Sequence, residues 1–350
     1  MSKTSCVNDS VGEYEIDSSW KGSLSNEYHE YRRKFHELST AKAQSPYVGR
    51  TPINLEIEST YHCNLACPFC PRRVAPGYKD LKHLDRNVWE KLLSDLVDSD
   101  TKSLMMDHEG ESLLNPNLCT MIEEARAAGI IDVWLHSNAN LLTLDMSKNL
   151  ISAGVTKLNI SIDAVSEETY SKVRPGGNLK QVEDNLLEFI KLRNSLGRYD
   201  IRVRVSFVYH ERNKHEKDLF IEKWKPHVNL VAIQSLLDMS CFDDPKSYFD
   251  NNISSETEKN LASFTCENIW TVPVLDTDGN FIACGMPVRG ETAKDLIIGN
   301  ILESSLSELW NSAKLNKLRN SHIKHNLDND TCRACAVSFA NSAYLQSGLE

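Results

Sequence analysis

From residue 51 onward, short apolar runs alternate with stretches whose apolar residues recur every three or four positions. The runs at 53–59, 103–107, 132–136, 157–163, 201–208 and 229–235 predict strands. Between them, residues 85–98, 117–128, 144–153, 179–194 and 216–225 predict amphipathic helices. Asp85 is placed to cap the first of these, Gly129 to close the second and Gly154 the third. Strand–helix repeats of this kind predict an α/β fold whose parallel sheet is wound right-handed. Residues 1–50 hold one amphipathic helix, about 27–38, before a loop ending near Gly49. A helix packed on the outside of the sheet is expected there, with a lid or docking arm as the alternative. Beyond the strand–helix alternation there is no repeat and no low-complexity tract.

The first strand runs directly into Cys63-Asn64-Leu65-Ala66-Cys67-Pro68-Phe69-Cys70. Three thiolates on one tight loop can hold three corners of an iron–sulfur cube and leave the fourth iron open. Zinc is the alternative, with His62 as a fourth ligand, but structural zinc sites are closed by four donors. A second cysteine group follows: Cys266, Cys284, Cys332 and Cys335, the last two as a CxxC pair. Four cysteines saturate one 4Fe-4S cluster, and a zinc ribbon is the other reading. Residues 271–275 and 281–283 flank Asp276-Thr277-Asp278-Gly279-Asn280, a hairpin signal that would bring Cys266 and Cys284 together.

The CxxxCxxC spacing, with Phe69 before its last cysteine, resembles the radical S-adenosylmethionine (SAM) superfamily. The C-terminal cysteines and the segment 298–311 resemble the SPASM or twitch extension of many such enzymes, and no cysteine after Cys335 fits the single-cluster form. The resemblance implies a partial (β/α)6 barrel of residues 51–240, after an N-terminal extension 1–50 and before an iron–sulfur extension 241–350 built from a small β-hairpin and helices. It implies SAM and two 4Fe-4S clusters as cofactors, one on Cys63, Cys67 and Cys70 that binds SAM, one auxiliary on Cys266, Cys284, Cys332 and Cys335. Functional groups then gather at the strand C-terminal ends. Phe69 matches the position set against the adenine. Gly110 and Glu111, in His108-Glu109-Gly110-Glu111-Ser112, stand where the family has GGEP, whose backbone meets the SAM amino group; Ser112 replaces the proline. Asn138 aligns in the next strand-end motif. Ser161 and Asp163, expected on one face of a strand by its period of two, resemble the ribose contacts. Arg174 resembles an arginine that pairs with the SAM carboxylate, a bidentate task suited to guanidinium.

Composition narrows the class. Ten cysteines in 350 residues leave Cys6, Cys119 and Cys241 unassigned, and a long chain, 41% apolar and without a signal-peptide pattern, argues against a disulfide scaffold. No stretch approaches the roughly 18 apolar residues of a membrane span, and cytoplasmic residence is expected. The net charge of −10 gives no electrostatic footprint for nucleic acid.

A single auxiliary cluster and a short N-terminal region resemble the enzymes that dehydrogenate a secondary alcohol of a sugar or aminocyclitol. The implied partners are that small molecule and a reducing electron-transfer protein such as flavodoxin or ferredoxin, with no nucleic acid and no membrane. His210, Glu211 and Asp238 are the candidate bases near the barrel mouth. Modification of a ribosomal peptide by crosslinking or epimerisation is the alternative, with Cys241 as a hydrogen donor. From a different class, a non-enzymatic iron–sulfur or zinc scaffold has no use for an open coordination position.

Overall fold

A computed structural model of the chain describes residues 10–15, 19–41, 49–74, 80–236, 238–262, 264–286 and 294–347. Cys6 and Leu237 lie outside the described residues. Six strands form the parallel centre in chain order: β2 (Asn54–Ile57), β3 (Ser103–Met105), β4 (Asp132–Ser137), β5 (Lys157–Ser161), β6 (Arg202–Tyr209) and β7 (Leu230–Ser235). These are the six predicted strands, with ends moved by up to two residues. Two further pieces extend the sheet. At one end β1 (Ser10–Glu15) pairs antiparallel with β7. At the other, β8 (Val274–Leu275) lies parallel to β2, and β9 (Asn280–Ile282) and β10 (Ile297–Asn300) follow antiparallel. The predicted hairpin is therefore present, and it continues the main sheet rather than standing apart from it.

Alternation along the strands explains the layers. Leu55, Ile57, Leu104, Val133, Leu135, Leu158, Ile160, Val203 and Val205 point one way and share a core with Trp89, Leu92, Met121, Ile122, Leu186 and Phe189 of the helices. Those helices are α3 (Arg86–Leu96), α4 (Leu118–Ala127), α5 (Leu144–Ala153) and α7 (Leu179–Ser195), numbered after α1 (Asn26–Ala41) and α2 (Pro71–Val74), with α6 (Glu167–Val173) before α7. Asp85 caps α3 by accepting from the Asn87 amide, and Gly154 ends α5 in the left-handed region.

The N-terminal helix packs against the barrel from outside, at the end away from the cysteine loop. Tyr28 of α1 bonds Arg202, the first residue of β6, which pairs at 2.5 Å with Asp132, the first residue of β4. Burial raises the phenols of Tyr28 and Tyr31, and α1 closes the strands' N-terminal end, opposite the cysteine loop. Among the described residues, no helix is long and apolar enough to cross a membrane.

Candidate active site

The loop of Cys63, Cys67 and Cys70 leaves the C-terminal end of β2 and is pinned on several sides. The Ala66 amide donates to Pro175 O at 3.0 Å, and the Cys70 amide to Cys67 O at 3.1 Å. Asn138, at the end of β4, donates from Nδ2 to Asn64 Oδ1 at 2.8 Å. Gly110 passes so close that a Cβ there would lie 2.0 Å from Thr60 O and 2.9 Å from His62 O, so only glycine fits. The next amide, Glu111 N, donates to His62 O at 2.7 Å. The buried Glu111 carboxylate then accepts from Ser137 Oγ and the Asn138 amide, each at 2.7 Å. Gly110, Glu111 and Asn138 thus meet at the cysteine loop, and the Glu111 side chain is engaged in bracing it.

Asp163 and Arg174 form a second brace. The expectation that Ser161 and Asp163 share a strand face fails, because β5 ends at Ser161 and Asp163 sits at φ 63°. Aspartate tolerates that conformation better than most residues, and here the fully buried carboxylate is tied down by the Val208 amide at 2.7 Å and Arg174 Nε at 2.8 Å. Arg174 is therefore not a free guanidinium: Nη2 pairs with Asp163 at 2.5 Å, and Nη1 reaches Cys67 Sγ at 4.0 Å. Burial pushes the Cys67 thiol up to about 11 against the pull of Arg174, and burial raises Cys63 as well. A bound cation reverses that preference by holding the thiolate.

Cys266, Cys284, Cys332 and Cys335 line one cavity together with Phe242, Phe264 and Leu296. Cys284 follows β9, and the CxxC pair lies one helical turn apart at the start of the helix Asp330–Ser347, so both thiols share its face. Four thiols around an apolar chamber suit a saturated cluster in donor type and number. Burial raises Cys284 to about 11 and raises Cys332. Among the described residues, no three His, Cys, Asp or Glu side chains converge on a single-ion position.

The predicted base candidates separate. Phe69 packs on His210 with ring centroids 5.1 Å apart. Glu211 points to solvent and pairs with Lys214 at 2.7 Å. Asp238 is exposed, caps the turn Met239–Phe242 and accepts from the Tyr248 hydroxyl at 3.0 Å. Cys241 is fully buried, and burial pushes its thiol up to about 12. Of the last three, Glu211 adjoins His210 in the chain but turns away to Lys214.

One group escaped the sequence reading. On the inner sheet face, Asp107, His136, Asn159 and Arg204 lie in one row across β3–β6, since Met105 pairs with Trp134, His136 with Asn159 and Asn159 with Arg204. His136 Nδ1 lies 2.9 Å from Asp107 Oδ2, and Asn159 Nδ2 lies 3.0 Å from His136 Nε2. The signal was present in the alternation Asp132, Trp134, His136, which lines the inside of a strand whose other face is apolar.

Comparison with known proteins agrees with this geometry. A family model described as "Radical SAM superfamily" matches residues 57–202, and one described as "SPASM: Iron-sulfur cluster-binding domain" matches 266–336. The chain is a radical SAM enzyme with a C-terminal SPASM domain. Its cofactors are SAM and 4Fe-4S clusters, one binding SAM and one auxiliary. The chain is 27% identical over 179 residues to the GTP 3′,8-cyclase of Lactiplantibacillus plantarum, covering 48% of this chain and 53% of that one. It is 28% identical over 145 residues to a probable GTP 3′,8-cyclase of Methanocaldococcus jannaschii, covering 41% and 47%. It thus spans about half the length of the curated relatives it matches. Among solved structures, anSMEcpe with bound AdoMet aligns with a TM-score of 0.57 at 16% identity, over 85% of this chain and 100% of that one. BtrN in complex with AdoMet and 2-DOIA aligns at 0.52 and 18%, over 81% and 93%. Streptococcus suis SuiB bound to S-adenosylmethionine aligns at 0.53 and 14%, over 86% and 74%. At these identities the likeness establishes the shared radical SAM fold.

Proposed function

We propose that this radical SAM enzyme dehydrogenates a secondary alcohol of a small sugar or aminocyclitol. In this reading Cys63, Cys67 and Cys70 of the barrel domain, 51–240, hold the SAM-binding cluster, and the four cysteines of the 241–350 domain hold the auxiliary one. Phe69, Gly110, Glu111, Asn138, Ser161, Asp163 and Arg174 surround the SAM. The bound cofactors supply a 5′-deoxyadenosyl radical that takes a carbon-bound hydrogen and a buried acceptor for the second electron. A flavodoxin or ferredoxin supplies the priming electron.

The observation that supports the proposal is a four-cysteine chamber next to the polar inner face of the sheet. Gly285, beside Cys284, abuts Glu56 of β2, whose carboxylate pairs with His108 at 2.7 Å next to the Gly110–Glu111 turn. The half-exposed inner-face residues His136, Ser161, Arg204 and Gln234 offer hydrogen bonds to a small polar molecule. Peptide modification is the second reading, favoured by the fold shared with anSMEcpe and SuiB, both solved with bound peptides. The test is anaerobic turnover of carbinol-deuterated sugars and aminocyclitols. Deuterium in 5′-deoxyadenosine with loss of two hydrogens from the product supports dehydrogenation. Solvent deuterium entering a carbon without change of oxidation state overturns it and points to epimerisation with Cys241 as donor.

A further inference from the structure

We infer that His136 is the base that accepts the substrate's hydroxyl proton, an assignment that rests on the dehydrogenase reading. Its position comes first. His136 lies two residues before Asn138 on β4, so it stands about 7 Å deeper in the lumen than the Asn138–Asn64 bridge to the cysteine loop, at ~3.3 Å per residue. A floor lies directly below: the Trp134 ring is 5.5 Å from the His136 ring, and Lys157 Nζ sits 3.6 Å from the Trp134 centroid. Below that floor, α1 and the Asp132–Arg202 pair close the barrel. A molecule entering from the mouth therefore comes to rest on His136.

Its hydrogen bonds set the ring for proton acceptance. Asp107 is an acceptor-only carboxylate when ionised, so the proton on the neutral ring belongs on Nδ1, 2.9 Å from Asp107 Oδ2. Asp107 Oδ1 also accepts the His136 amide at 2.7 Å, which locks carboxylate and ring together. The lone pair is then on Nε2, where Asn159 Nδ2 donates at 3.0 Å and a substrate hydroxyl can take its place. The His136 side chain is 37% exposed, whereas that of Asp107 is 7% exposed: the ring faces the lumen and the carboxylate backs it.

His210 has the opposite arrangement. Its Nδ1 accepts the Arg212 amide at 3.2 Å, so its neutral ring carries the proton on Nε2 and offers a donor, not a base. Glu211 and Asp238 are exposed and engaged elsewhere. In the oxidation the carbinol C–H hydrogen leaves as an atom to the 5′-deoxyadenosyl radical, and the O–H proton goes to His136 Nε2. The remaining electron passes to the auxiliary cluster as the C=O bond completes, so atoms and electrons balance.

The experiment compares the reconstituted wild type with His136→Gln and Asp107→Asn, using carbinol-deuterated glucosamine and scyllo-inosamine as probes. Iron content and 5′-deoxyadenosine formation report that each variant is folded and loaded. The expected result for His136→Gln is deuterium still entering 5′-deoxyadenosine while ketone formation falls by about 100-fold or more, the usual worth of a general base. Asp107→Asn should show a smaller loss in kcat with KM little changed. A purely structural role lowers deuterium transfer and ketone together, and that outcome overturns the assignment. Ketone formation at the wild-type rate in His136→Gln overturns it too, while leaving the dehydrogenase reading intact. A wild type that oxidises neither probe overturns both.

Discussion

Gly110→Ala tests whether the turn after β3 sets the cysteine loop. A Cβ at this position meets backbone on one side: Thr60 O at 2.0 Å, the Thr60 carbonyl carbon at 2.8 Å and His62 O at 2.9 Å. Restoring a 3.0 Å contact with Thr60 O needs a shift of 1 Å, and no flexible side chain is there to give way. Overpacking of this kind costs about 1–3 kcal/mol. The same shift stretches the 2.7 Å bond from Glu111 N to His62 O, a further loss of about 1 kcal/mol. The sum of about 2–4 kcal/mol corresponds to a Tm drop of roughly 3–5 °C in a chain of this size. His62 adjoins Cys63, so the displacement passes directly into the loop that we assign to the SAM-binding cluster. After anaerobic reconstitution the wild type should hold about eight irons and the variant about four, because the other cysteine set is untouched. Reductive SAM cleavage, read as 5′-deoxyadenosine, should fall in parallel. A Gly110→Ala protein with about eight irons and wild-type SAM cleavage would refute the reasoning.

Two further outcomes follow from buried carboxylates. Asp163→Ala leaves the Arg174 guanidinium buried without its counter-charge and should cost about 3–5 kcal/mol in urea denaturation; a loss under about 1 kcal/mol would show that the pair does not brace the loop. Glu216 is pushed up by burial, but bonds from Ser166, the Val165 amide and Thr169 outweigh this and hold it below its ordinary 4.5. A depressed folded-state value means the contribution is complete above pH 4.5 and is lost as pH falls through the folded value. Glu216→Gln should therefore be less stable than the wild type at neutral pH, with the gap narrowing below pH 4.5, and a gap independent of pH would sink the argument.

The elements were legible because their signals are local. The period of two in β2–β7, the period near 3.6 in the helices, Asp85 as a cap and Gly154 as a stop each rest on a few adjacent residues. The CxxxCxxC loop and the CxxC pair were legible for the same reason. Residues 10–15 carry no such signal, and they form a strand only because β7 presents an edge to pair with. The hairpin was readable from its Asp-Gly turn, whereas its attachment to β2 depends on residues more than two hundred positions away.

The candidate site divides along the same line. Sequence alone showed two sets of cysteines at spacings suited to iron, the first on a loop within the strand–helix repeats and the second after them. Tertiary structure alone decided that Arg174 is held by Asp163, that Glu111 braces Ser137 and Asn138, and that Glu211 and Asp238 face solvent. It also assembled Asp107, His136, Asn159 and Arg204 into one row from four strands. A ligand motif is read along a few residues of chain, because covalent spacing fixes how near its thiols can come. A buried polar pair or row depends on which strands lie side by side and in what register, and those distances exist only once the sheet has formed.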